Sequence, residues 1–160
     1  MPIPPVPRGL RVTPPNRTSG KTQRVLINGR TLFVRVEEDA DGKPCAIALG
    51  IDRVGETFQG LLTGYADAIS LALQYGAPLD DVVNEFAFTR FGPIEGFVEG
   101  HESIKMCTSI LDFVARHLGI VYLNRHDLAL SPEGRKEEQR HPALAPVSRP
   151  TLAVDNDDKK

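Results

Sequence analysis

At 160 residues, 41% hydrophobic and 25% charged, the chain has room for one modest domain, and no run approaches the roughly 20 apolar residues of a membrane helix. Its formal charge of −2 conceals a segregation: residues 1–36 hold seven Lys or Arg and no acid, residues 37–130 hold six bases against fifteen acids, and the last thirty hold six of each. A basic arm before an acidic body disfavours a nucleic-acid binder of the ordinary kind, whose folded body is itself basic, and without a secretory apolar stretch the expected location is cytoplasmic.

Six of the thirteen prolines fall in the first fifteen residues. With basic and scattered apolar neighbours they build no face of any period, so residues 1–21 are expected to be a disordered arm. A hairpin follows: residues 22–27, then Asn28-Gly29, then 30–38, because Asn-Gly takes the positive φ values of a two-residue type I′ turn. Leu32, Val34 and Val36 share one face while Phe33, Arg35 and Glu37 share the other, the alternation of a half-buried strand. Asp41-Gly42 turns the chain into a third strand over 44–51, and Pro44 suits a strand start or an edge.

After Gly55 the period lengthens. Phe58, Leu61, Leu62, Tyr65, Ile69, Ala72 and Leu73 mark one helix, which Gly76 and Pro78 terminate. Leu79, Val82, Val83 and Phe86 stripe a second helix, with Asp80 and Asp81 near its positive end. Gly92, Gly96 and Gly100 then punctuate a loop. A third helix is expected from near Glu102 to about Leu123, burying Ile104, Cys107, Leu111, Val114, Leu118 and Val121. The fold class that results is α+β: a three-stranded antiparallel meander followed by three helices packed on one face, spanning residues 22–130. In the tail over 131–160, burying Leu144, Val147, Leu152 and Val154 gains about 6 to 12 kcal/mol, against roughly 30 to 60 for ordering thirty residues, so the tail is expected to be disordered.

Motifs that would carry chemistry are sparse. Ser19-Gly20-Lys21-Thr22 mimics the end of a phosphate-binding loop, but Pro15 stands where the pattern needs Gly and a strand follows where it needs a helix. Cys45 and Cys107 form no CxxC, and His101, His117, His126 and His141 have no metal-ligand spacing, so no metal site is expected. Asp80 and Asp81, adjacent on a helix, point about 100° apart and are read as a solvated first turn. The glycine loop is read as a mobile connection. Its alternative is a binding loop in which Thr89, Arg90, His101 and Lys105 supply donors for an anion or a partner. The arm, with Arg8, Arg11, Arg17, Lys21 and Arg24, offers phosphate contacts but no aromatic side chains among its bases on which bases could stack.

Several stretches stand out together: Ala68-Ile69-Ser70-Leu71-Ala72-Leu73-Gln74-Tyr75-Gly76 with Pro78-Leu79, Phe88-Thr89-Arg90-Phe91 with Pro93, and Ser103-Ile104-Lys105. Ser109-Ile110-Leu111-Asp112-Phe113-Val114, Tyr122-Leu123-Asn124-Arg125 and Asp127-Leu128-Ala129 follow them. Through these, from Thr22 to about Ala129, the sequence resembles the TSCPD domain in the version found at the C-terminus of adenosylcobalamin-dependent (class II) ribonucleotide reductases. The resemblance implies work in deoxyribonucleotide synthesis for DNA replication, with a class II reductase chain as partner. Adenosylcobalamin is implied for that partner, and no cofactor is expected on this chain. The barrel that holds the radical chemistry of those enzymes does not fit into 160 residues. A stand-alone protein, inactive as a ribonucleoside-diphosphate reductase by itself and acting as an accessory or regulatory component, is therefore expected. The alternative is an independent nucleotide- or nucleic-acid-binding module that uses the basic arm.

Overall fold

The computed structural model describes residues 9–92 and 94–129. The first eight residues of the expected arm and the expected disordered tail over 131–160 lie outside the described residues. Three strands open the domain: β1 (Ser19–Ile27), β2 (Arg30–Glu38) and β3 (Pro44–Ile51). Asn28 and Gly29 take φ values of 49° and 77° and close β1 and β2 in register, with Ile27 opposite Arg30 and Ser19 opposite Glu38. The strand thus begins three residues before the expected boundary. Upstream of it, the Val12 amide donates to the Gln74 carbonyl at 2.9 Å and Arg11 Nε to the Gln74 side chain at 2.8 Å.

Two helices follow, α1 (Glu56–Gln74) and α2 (Leu79–Phe86). The first ends in a Schellman motif: Ala77 N–H reaches the Ala72 carbonyl and Gly76 N–H the Leu73 carbonyl, with Gly76 at φ 85°. Edge strand β3 would otherwise present unpaired backbone groups, and α1 covers them with polar side chains. Ile47 N–H donates to Ser70 Oγ (2.9 Å) and Ile51 N–H to Gln59 Oε1 (3.2 Å), while Gln59 and Gln74 donate to the Leu49 and Cys45 carbonyls. A helix is thus tied lengthwise along a strand.

The segment from 96 to 109 differs from expectation. It holds two short strands, β4 (Gly96–Glu99) and β5 (Met106–Cys107), and the third helix, α3 (Ile110–Leu123), starts at Ile110 instead of near Glu102. Ser109 is the reason. Its side chain caps the helix by accepting from Asp112 N–H at 3.0 Å, whereas Ile104 and Cys107, whose spacing mimics a helical stripe, are buried from a turn and a strand. Pairing of β4 with β1 and of β5 with β4 extends the meander to one five-stranded sheet in the order β3-β2-β1-β4-β5. A 3-10 turn, His126–Ala129, follows α3.

One sheet face is closed by the helices. Val25, Ile27, Leu32, Val34, Val36, Ile47, Leu49 and Val98 pack there with Leu62, Ile69, Val83, Phe113, Val114 and Leu118. Every residue from Asp112 to Ile120 is buried, so α3 is the central helix of the domain. Phe113 has no exposed surface, and a side chain of this size contributes about 1.5–3 kcal/mol on burial. Among the described residues no helix is long and apolar enough to cross a membrane.

Candidate functional site

The polar residues of the 88–117 region form two groups along α3. The first surrounds the helix N-terminus. Asp112 and Arg116, one turn apart and fully buried, pair at 3.2 Å. Asp112 also accepts from the amides of Phe88 (2.7 Å) and Thr108 (2.9 Å), and Arg116 donates to the carbonyls of Leu128 and Met106, each at 2.8 Å. Phe88 is held at φ 63°, a left-handed conformation costly for a bulky side chain, with the Arg116 guanidinium 5.0 Å from its ring centre. Thr89 belongs here: its hydroxyl donates to the Phe86 carbonyl, and its own carbonyl accepts from the Thr108 and Ser109 hydroxyls at 2.8 Å each. Arg90, the next residue, is exposed.

The second group lies about 12 Å further along the helix, eight residues at 1.5 Å each from Ser109 to His117. His101 Nδ1 accepts from the amides of Ser103 (3.1 Å) and Ile104 (3.0 Å), so its proton resides on Nε2 and donates to His117 Nδ1 at 3.1 Å. Lys105 Nζ donates to the His101 carbonyl at 2.7 Å. Burial, with Lys105 nearby, moves the His101 pKa down, and burial with the His101 contact pushes His117 down to about 4. Both rings are therefore neutral at neutral pH. Thr89 and Arg90 thus sit at one end of α3 and His101 and Lys105 beside its middle, and the four do not converge on one point.

Sequence reasoning passed over Asp112, Arg116 and His117. An Asp and an Arg four apart on a helix were legible as a pair, but their complete burial was not. Cys107, on β5, is pushed up to about 12 by burial with Asp112 adding, and burial, with Glu37 nearby, raises Cys45, so neither thiol is an activated nucleophile. Among the described residues no group of three or more His, Cys, Asp or Glu could hold a metal ion.

Two concavities stand out among the described residues. One, about 220 Å³, is apolar; Phe58, Tyr65, Ile94 and Ile110 line it, and Leu61 and Phe91, 71% and 47% exposed, stand at its rim. The buried Tyr65 hydroxyl beside it has no hydrogen-bond partner among the described residues. The other, about 530 Å³, lies between the arm and the sheet end and is lined by Val12, Pro15, Arg17, Asp39 and Tyr75 among others. A corrinoid exceeds the drug-sized ligands that cavities of this size enclose, and no histidine lines either concavity, so the described residues do not fit that cofactor.

The comparisons with known proteins agree with the sequence resemblance. The model of the TSCPD domain matches residues 5–122. The vitamin B12-dependent ribonucleotide reductase of Agrobacterium fabrum is 44% identical over 115 residues, 72% of this chain and 9% of the relative. The enzymes of the same name from Bradyrhizobium diazoefficiens and Rhodopirellula baltica are 38% and 33% identical, over 84% and 75% of this chain and 12% and 11% of theirs. This chain therefore spans about a tenth of the length of these curated relatives. No solved structure matches. A match over most of the chain, carried by a domain whose elements are all accounted for above, settles the family: the chain belongs to the TSCPD domain family and is related to vitamin B12-dependent ribonucleotide reductases.

Proposed function

We propose that this chain serves B12-dependent ribonucleotide reduction as a non-catalytic accessory or regulatory module that binds a reductase polypeptide. The observation that carries this reading is the relationship itself: the matched enzymes are roughly seven to eight times as long as this chain, and the part they share with it is about a tenth of them. The internal chemistry supports it. Asp112, Arg116 and His101 spend their hydrogen bonds on main-chain groups and on one another, as structural staples do, while both thiols are held protonated. The apolar concavity, with Leu61 and Phe91 exposed at its rim, offers a seat for a partner's side chain, the kind of anchor that dominates protein interfaces.

The test is to mix the purified chain with a B12-dependent reductase polypeptide lacking its own TSCPD region and to follow co-elution in gel filtration together with the rate of ribonucleotide reduction. Co-elution with an altered rate, both lost in Leu61→Asp, is the expected outcome. Separate elution with an unchanged rate, or ribonucleotide reduction by this chain alone, overturns the reading.

A further inference from the structure

The sheet face opposite the helices is bare among the described residues. Register places Thr22, Arg24 and Leu26 of β1 beside Thr31, Phe33 and Arg35 of β2, with Ala46, Ala48 and Gly50 of β3 on one flank and Phe97 of β4 on the other. Phe33 is 45% exposed and Phe97 72% exposed. Two phenylalanines this open on neighbouring parts of one sheet are not explained by packing, since the core lies on the opposite face.

Arg24 sits directly across the β1–β2 pair from Phe33, and Arg35 follows Phe33 on the same strand face. Arg24 has no carboxylate partner among the described residues; Arg35 has Glu37, at 4.0 Å. Of the acids of this face, Glu37 stands at the far end of β2, while Glu99 lies across from Leu26 and next to Phe97 on the same strand face; β1 with nearly all of β2 comes from the stretch of 36 residues that holds seven bases and no acid. Asn28 N–H donates to the Phe97 carbonyl at 3.0 Å, which puts Phe97 level with the hairpin turn and two strands from Phe33. Strand spacing and rise then separate the two aromatic residues by about 16 Å.

We infer that this open sheet face binds single-stranded nucleic acid, with Phe33 and Phe97 as stacking platforms for bases and Arg24 and Arg35 as phosphate contacts. The chemistry is that of sheets that stack two or three bases on exposed aromatic side chains, where every base has a π-face and sequence preference is weak. Ala46, Ala48 and Gly50 leave the flank low, so an extended strand can cross it. A protein partner is less well matched, because interface anchors fill concave pockets and neither the apolar nor the larger concavity is lined by Arg24, Phe33, Arg35 or Phe97, whereas an arginine without a carboxylate partner among the described residues, beside an exposed ring, fits the alternation of base and phosphate. The inference does not depend on the reductase reading, and each can fail without the other.

Fluorescence anisotropy of a labelled 15-mer oligothymidine with the full chain tests it, in salt from about 50 to 200 mM. Phe33→Ala and Phe97→Ala should each weaken binding by about fivefold to a hundredfold, the range of single-base stacking losses. Phe33→Trp should restore it, and Arg24→Ala should make the log–log salt slope less negative by about 0.7. Circular dichroism of every variant keeps misfolding separate from lost contact. Failure of the full chain to bind at micromolar concentration, or unchanged affinity in the Phe33→Ala/Phe97→Ala double variant, overturns the inference. So does sedimentation showing a dimer that the double variant dissolves while the oligonucleotide does not bind.

Discussion

The two faces of the sheet follow opposite rules. On the inner face Val25, Ile27, Leu32, Val34 and Val36 are apolar and buried, and polar groups that enter the interior beyond them, Asp112, Arg116, His101 and His117, are tied to main-chain groups or to each other. On the outer face arginine and phenylalanine alternate in the open. Buried polar groups must be satisfied or the fold loses several kcal/mol, so the inner constellation is explained by stability alone. Exposed aromatics contribute little to stability, so core packing does not account for the outer constellation, and the proposed ligand does. A charged residue in this domain is thus a poor guide to function when it is buried, and an apolar residue is a good one when it is not.

The comparison is broken most severely by removing Arg116. In Arg116→Met the Asp112 carboxylate stays buried with its cation gone, and the Leu128 and Met106 carbonyls lose a donor. Breaking a buried pair from one side costs about 3–5 kcal/mol, and urea unfolding should show it. A double variant with Asp112→Leu should cost less than the two single changes added together, since no unpaired charge is left behind.

Acid should weaken the inner face next. His117 titrates at about 4 in the folded domain and at 6.5 when unfolded, because burial and His101 disfavour its charged form. As pH falls the unfolded chain takes up that proton first. The stabilisation is therefore complete above 6.5, is lost progressively between 6.5 and about 4, and amounts to on the order of 2–3 kcal/mol. His101 moves in the same direction. Urea midpoints from pH 7 to 4.5 should fall in the native protein and fall less in His117→Gln.

At the sheet edge, Ser70→Ala removes the acceptor of the Ile47 amide and leaves that buried donor without its side-chain partner. The expected loss is about 1–2 kcal/mol by the same unfolding measurement. Gln59→Ala should cost less, because that site is only partly buried and water can replace the amide.

How far the sequence discloses these features depends on whether their causes are local. Asn28-Gly29 dictates its own φ values, and Gly76 with its Schellman bonds ends α1 where the composition says it must. The alternation of β2 already separated Phe33 and Arg35 from Leu32 and Val34. The start of α3 was also within reach, since Ser109 and Asp112 have the spacing of a capping box. Ile104 and Cys107 concealed it by falling at helical intervals. β4 and β5 were not legible because the four-residue strand owes its existence to pairing with Leu26 and Ile27, some seventy residues away in the chain, and the two-residue strand to pairing with β4 in turn. For the same reason Phe97 was not recognised as a surface aromatic. The His101–His117 contact joins a turn to a helix and leaves no mark in either segment alone.

The smallest expected effect concerns the outer face. Phe33→Ser with Phe97→Ser removes two large apolar side chains, yet each is already open to water and neither belongs to the core. Exposed substitutions of this kind change stability by about 0.5 kcal/mol or less, so the urea midpoint should stay close to that of the native chain. Loss of oligonucleotide affinity at unchanged stability is the signature of a surface kept for a ligand. A loss of stability comparable to that of Ser70→Ala would instead mean that something packs on this face in solution, a second copy or a further part of the chain. The contrast between the two faces would then be one between two interiors.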